Sequence, residues 1–180
     1  EQYILKLKKA FKGINLSKSF TGEGIILSNE SAKGVILKGV DKNEKKIEDF
    51  FEKFIIKGKL NNFDTNSAFI GTELAFDLNL KEGDTLSLMT SSFIMTPLGS
   101  LPKQENFKIA GIFNTGFLEF DRNVIYLNIN DALSIFDKEN EDQNIEVYLQ
   151  DPLKADTYKT KIQELNQNFC VKTMIVWRKL

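Results

Sequence analysis

The sequence predicts an α+β protein in two lobes, with a β-rich lobe inserted into an α+β lobe. Three observations lead there. Helical periodicity of any length is confined to residues 41–58 and 151–167, near the two ends. Residues 65–138 read instead as short strands between turn signals, with one short helix early in the stretch and another at its end. The chain has 180 residues, 42% of them hydrophobic, which is enough to bury a core without disulfides. The expected lobes are therefore residues 1–64 with 139–180, and residues 65–138.

Each element has its own local reason. The apolar runs "GIILS" (24–28) and "GVILKGV" (34–40) flank the turn-rich "NESAK" and read as a hairpin. "DKNEKKIEDFFEKFIIKG" places Ile47, Phe50, Phe51, Phe54 and Ile55 at helical spacing, starting near Asp41 or Asn43 and stopping at Gly58. "SAFIGTELAFDLNLKEGDTLSLM" gives a strand, a short helix around Glu73 to Asp77, the turn "KEGD", and a strand from Thr85 to Met89. "FKIAGIF" (Phe107–Phe113) is the returning strand of a hairpin. "NVIYLNI" is a further strand, and Asn130 or Asp131 caps the short helix "DALSIF". The polar "DKENEDQN" reads as a crossing between lobes. "IEVYL" is a strand, Asp151 and Pro152 open a helix carrying Leu153, Tyr158, Ile162 and Leu165 on one face, and "CVKTMIVW" is the last strand.

Composition excludes several classes of function. Lys plus Arg is 24 against 25 for Asp plus Glu, so the basic excess of a nucleic-acid or anionic-membrane binder is missing. Histidine is absent, which removes Ser-His-Asp and Cys-His catalysis and histidine metal sites. Cys170, the single cysteine, reads as a small buried hydrophobe in an apolar run. There is no G-x-x-x-x-G-K pattern to cradle a nucleotide. Fifteen phenylalanines read as core residues in the place of other hydrophobes. The abrupt start at "EQYILKL" and stop at "WRKL" suggest a domain taken from a longer protein, and the apolar runs are too short to span a bilayer.

"SSFIMTPLGSLPKQENF" (91–107) departs from this order. Phe93, Ile94, Met95, Leu98 and Leu101 share it with two of the three prolines, Pro97 and Pro102, and follow no period of 2 or 3.6. Such residues either plug the core from an irregular loop or are displayed to a partner. "NTGFLEFDRN" (114–123) is the second such stretch. Phe117, Leu118 and Phe120 either line the path of an apolar cargo or form a β-bulge with core aromatics, while Glu119 and Asp121 read as a solvated turn.

The order and spacing of "GTELAFDLNLKEGDTLSLM", "TPLGSLP", "FKIAGIFNTGFLEFD" and "VIYLNINDALSIF" resemble the periplasmic domain of permeases in lipoprotein-releasing ABC transporters, the LolC/LolE family, related to MacB-like and FtsX-like permeases. "TPLGSLP" resembles the LolC-type hook, a Pro-bearing hairpin loop that engages the periplasmic carrier LolA. The resemblance implies a MacB-like fold and an inner-membrane permease with this domain in the periplasm. Its partners would be a LolA-like carrier, a second permease subunit (LolE-like or another copy), a cytoplasmic ATPase and acylated lipoprotein cargo. No enzyme chemistry, cofactor, metal or nucleic acid is implied for this domain. The hook loop would span residues 90–105, with Phe93, Ile94, Met95, Thr96, Pro97, Leu98, Gly99, Ser100, Leu101, Pro102, Lys103, Gln104 and Glu105 as contacts and Ser87 at its base. Gln104 matches the family residue, whereas Glu105 and Ser87 stand where the family has arginines; Lys103 would supply a displaced positive charge. Two rivals are the ectodomain of a related FtsX/MacB-type permease with another periplasmic partner, and an enzyme, which would show a concave pocket with converging polar groups.

Overall fold

Period-2 alternation sorts the strands between two cores in the computed structural model, which describes residues 7, 9–11, 14–28, 31–97, 99–139, 142–149 and 151–165. The elements are β1 (Asn15–Leu27), β2 (Ala32–Val40), α1 (Lys45–Phe54), β3 (Ile55–Gly58), β4 (Ser67–Gly71), α2 (Thr72–Asp77), β5 (Thr85–Thr96) and β6 (Gly99–Phe113). They continue with α3 (Leu118–Asn123), β7 (Val124–Asn128), α4 (Ile129–Ile135), β8 (Asn144–Tyr148) and α5 (Ala155–Leu165). The fold is mixed α and β.

The chain divides into residues 18–144 and a second unit formed by residues 1–17 with 145–180. In the larger unit the strands run β2-β7-β4-β6-β5-β1, and β1 also pairs with β2, so the path closes on itself. The β2–β7 and β4–β6 pairs are parallel; β1–β2, β1–β5, β4–β7 and β5–β6 are antiparallel. The boundary expected at 64/65 is therefore not where the chain divides. Residues 18–64 belong to the sheet of the middle segment because β1 and β2 find their neighbours in β5 and β7.

Alternate residues of a strand face opposite sides. Ala68 and Ile70 of β4, with Ile125 and Leu127 of β7, enter a core with Leu86, Leu88, Phe107 and the α4 residues Ala132, Leu133 and Ile135. Their neighbours Phe69, Val124 and Tyr126 enter a second core under α1. The Phe content concentrates there: the Phe51 ring lies 4.7 Å from that of Phe69 and 5.7 Å from that of Phe63. Burying each such ring stabilises the fold by about 1.5–3 kcal/mol before entropy is counted. Gly71 allows α3 to approach β4, since a Cβ at this position would lie 2.0 Å from the Asp121 carbonyl oxygen.

Several local expectations are corrected. The helix expected to reach Gly58 ends at Phe54, because Ile55–Gly58 pairs with Gly111–Phe113 of β6. It begins at Lys45, and Asp41 instead accepts the Asn43 N–H at 2.9 Å in the turn before it. Asn128 caps α4 in place of Asn130 or Asp131, its Oδ1 accepting the Asn130 N–H at 3.0 Å. Residues 114–123 form a loop and the short α3 rather than a β-bulge.

In the smaller unit, Pro152–Lys154 form a 3-10 turn before α5, and Asp151 Oδ1 accepts the Leu153 N–H at 3.1 Å. Ile162 is buried, and the Tyr158 ring lies 5.4 Å from that of Phe11, while Leu153 is exposed. The last expected strand and Cys170 lie outside the described residues.

Candidate functional site

β5 is paired on both sides only as far as Met89. Ser87–Thr90 face Leu27–Gly24 of β1 on one side, and Thr85–Met89 face Lys108–Gln104 of β6 on the other. Beyond Thr90 the strand keeps β6 alone, from Phe93↔Pro102 to the closing pair Thr96↔Gly99. The segment expected as a long hairpin loop over 90–105 is thus itself paired as a two-stranded ribbon from Phe93 to Pro102. Pro102 is tolerated within it for a geometric reason. Hydrogen-bonded and non-hydrogen-bonded pairs alternate from the closing pair, so Phe93↔Pro102 is a non-hydrogen-bonded pair and the proline nitrogen faces away from β5.

The register resumes at Phe93↔Pro102 after Met89↔Gln104, so residues 90, 91 and 92 oppose Lys103 alone in a bulge that re-aims the hairpin. The bulge is anchored. Thr90, buried, donates from Oγ1 to the Ile135 carbonyl at 3.0 Å. Lys103 donates from Nζ to the Ser134 carbonyl at 2.5 Å and lies 2.8 Å from the Asp137 carboxylate and 3.8 Å from that of Glu105. A cation at these last carbonyls of α4 also complements the helix dipole. The ammonium expected to serve a partner is thus engaged within the domain.

Past the bulge the apolar residues are displayed. Phe93 is 59% exposed, Ile94 49%, Met95 79% and Leu101 58%. Cross-strand partners share a face, so Phe93, Met95, Ser100 and Pro102 lie on one side and Ile94, Thr96 and Leu101 on the other. Ser100 Oγ donates to Met95 Sδ at 3.0 Å, and Thr96 Oγ1 to the Gly99 carbonyl at 2.7 Å. Pro97 is exposed at the turn, and Leu98 lies outside the described residues. At the base, Gln104 Nε2 donates to Ser87 Oγ at 2.7 Å. The anchoring of Thr90 and Lys103 to residues 134–137 is not legible in the sequence, because a helix end 30 or more residues downstream leaves no local signal.

The second stretch is also built around an anchor. Asp121 is 2% exposed, and its carboxylate accepts the Thr115 N–H at 3.1 Å, the Thr115 hydroxyl at 2.7 Å and the Gly116 N–H at 3.2 Å. This corrects its reading as part of a solvated turn. Phe120 joins the aromatic core, 6.1 Å from Phe113, and Phe117 and Leu118 remain exposed. A shallow groove of 290 Å³ between β3, α2 and β6 is lined by Ile56, Ala75, Phe76, Leu80 and Ile112 with Thr72, Asn79 and Lys57. Lys57 is its one ionisable side chain. Among the described residues no three His, Cys, Asp or Glu side chains are grouped to hold a metal.

No protein-family model matches the chain. It is 27% identical over 115 residues to the lipoprotein-releasing system transmembrane protein LolC of Xylella fastidiosa, covering 61% of this chain and 27% of that protein. It is 24% identical over 156 residues to LolC of Neisseria meningitidis, covering 84% of this chain and 37% of that protein. The chain thus spans roughly a quarter to over a third of the length of these relatives. Among solved structures, the extracellular domain of the ABC-type transporter YknZ from Gram-positive bacteria aligns with TM-score 0.59 at 14% identity, covering 93% of this chain and 82% of that one. The periplasmic region of MacB from Actinobacillus actinomycetemcomitans aligns with TM-score 0.54 at 12% identity, covering 89% and 69%. In sequence the chain is LolC-like, and its fold is that of the MacB-like periplasmic domains of ABC transporter permeases.

Proposed function

We propose that this chain is the periplasmic domain of an inner-membrane ABC permease that releases lipoproteins and hands them to a LolA-like carrier docked on the β5–β6 hairpin. The observation that carries the reading is the hairpin itself. It is an anchored ribbon with Phe93, Ile94, Met95 and Leu101 exposed, standing where the sequence resembles the LolC hook. The contacts are Phe93 to Glu105 with Ser87 at the base. Burial of each apolar side chain is worth about 1.5–3 kcal/mol, and association costs of about 4–15 kcal/mol offset most of the sum. A reversible affinity follows, as a hand-off of cargo requires.

No helix among the described residues is long and apolar enough to cross a membrane, so membrane spans would come from other parts of the protein. The domain is non-catalytic in this reading. A cytoplasmic subunit hydrolyses ATP, a second permease subunit completes the pair, and acylated lipoproteins are the cargo. Fold likeness to MacB and YknZ would equally suit an ectodomain with another periplasmic partner; the LolC sequence likeness favours the lipoprotein reading. Titration of a LolA-type carrier by calorimetry decides between them. Leu101→Arg puts a charge where an apolar contact is expected and should weaken binding at least tenfold with an unchanged melting temperature. Failure of the wild-type chain to bind the carrier overturns the proposal.

A further inference from the structure

The two long edges of the hairpin differ. On the β6 side, position 102 is a proline, which has no N–H to offer and whose ring obstructs a neighbouring strand, a device that discourages strand addition. On the β5 side, Ser91–Met95 contains no proline and no charge, and past the bulge Phe93, Ile94 and Met95 are apolar residues in a paired strand. Among the described residues no strand lies along it, because β1 pairs with β5 only up to Thr90.

The register decides which main-chain groups this open edge presents. Counting from the closing pair Thr96↔Gly99, Ile94↔Leu101 is hydrogen-bonded, so Ile94 turns its N–H and carbonyl toward β6. Phe93↔Pro102 and Met95↔Ser100 are non-hydrogen-bonded pairs, so Phe93 and Met95 turn theirs outward. The chemistry that satisfies such alternating donors and acceptors at strand spacing is another extended backbone.

We propose that the Ser91–Met95 edge of the hairpin is a strand-addition site, and that the docked carrier contributes an extended segment that pairs with the main chain of Phe93 and Met95. This rests on the carrier reading above and deepens it. The apolar side chains of both faces would flank the added strand and set specificity, while the backbone pairing fixes register. The occupant is a carrier strand and not a second copy of this chain, since residues 91–95 sit next to the exposed apolar tip that the carrier reading already assigns to the contact.

The cross-strand pair Met95↔Ser100 supplies a matched test, because both residues turn their N–H outward, on opposite edges. The full chain is titrated with a purified LolA-type carrier. Met95→Pro removes an outward donor on the open edge and should weaken binding about tenfold or more beyond Met95→Ala, which removes only the side chain. Ser100→Pro, its counterpart on the blocked edge, removes an outward donor that an added strand does not use and should weaken binding at least fivefold less than Met95→Pro. Amide hydrogen exchange on the wild-type complex is independent of whether the proline variants fold. Exchange at Phe93 and Met95 should slow at least tenfold on binding, and exchange at Ser100 should not. Tight binding with Phe93 and Met95 amides still exchanging freely overturns strand addition and leaves the carrier reading standing. Absence of any complex overturns both. Concentration-dependent dimerisation abolished by Met95→Pro would overturn the proposal in favour of pairing between copies.

Discussion

Lys103 Nζ lies 2.8 Å from the Asp137 carboxylate, which ties the foot of the hairpin to the turn just past the C-cap of α4. Asp137 can reach this position because its own backbone is left-handed, with φ at +51°. Lys103 and Thr90 therefore hold the bulge from both strands, to consecutive carbonyls of one helix end, Ser134 and Ile135.

Lys103→Met keeps the aliphatic stem and deletes the tie. Because Asp137 is more than half exposed, the global cost is expected to be at most about 1 kcal/mol, a shift of a few degrees in Tm. The hairpin should loosen locally, seen as faster methyl relaxation at Ile94 and Leu101. Unchanged relaxation would show that the bulge and Thr90 orient the ribbon without the lysine.

Asp131 predicts a pH dependence. It is buried, which pushes its carboxyl above the ordinary 3.8, and the Asn66 N–H donated to it at 2.7 Å opposes that rise only in part. A raised folded-state pKa means that the folded chain holds the proton more tightly than the unfolded one. The stabilisation is full below the unfolded value and is lost as pH rises through the folded one. Asp131→Asn lacks this titration, so the stability of wild type relative to the variant should fall as pH rises from below 3.8 and level off once pH passes the raised folded-state value. Urea unfolding across that range checks it; a flat or rising difference would contradict the assignment.

Asp121 is expected to matter more than its place in a loop suggests. Asp121→Ala removes the acceptor of the Thr115 N–H and of the Thr115 hydroxyl, while the Gly116 N–H keeps Asn114 Oδ1 at 2.9 Å. The expected loss is about 2–4 kcal/mol in chemical unfolding, with Asp121→Asn costing less because its amide oxygen still accepts. A loss below about 0.5 kcal/mol would mean that water replaces the carboxylate at no cost.

Much of the fold is readable from local pattern, and the failures share one physical origin. β4, β7, α2 and the β1–β2 hairpin carry their period and turn residues within themselves. The end of α1 does not: Ile55 continues the helical spacing of Phe51, and only pairing with Phe113 of β6, far along the chain, draws it into a strand. Asp121 looked solvated because the N–H groups that surround it belong to a loop whose curvature is a tertiary property. For the hairpin, Pro97 and Pro102 correctly marked an element that a central strand could not be. The long loop expected there is paired nearly to its tip, because a non-hydrogen-bonded edge position gives up nothing to proline. The exposure of Met95 and Leu101 could not be read from their type, since the same residues elsewhere fill cores.

Gly99 is the position where turn geometry and recognition are coupled most directly. Its φ is +125°, a backbone region that L side chains rarely adopt, and a Cβ built there meets nothing within 4 Å. The cost of Gly99→Val is therefore strain alone, about 1–3 kcal/mol, with no steric contribution from neighbours. That strain falls on a ribbon outside both cores, so the Tm should stay within a few degrees while the ladder between Ile94 and Leu101 opens more often. Hydrogen exchange at the Ile94 amide should accelerate at least fivefold while that at Ile125, deep in the sheet, is unaltered. Carrier affinity should fall in proportion, because part of the binding free energy would then be spent on ordering the tip. A variant with accelerated exchange but full affinity would show that the carrier selects the ribbon's side chains without needing its shape.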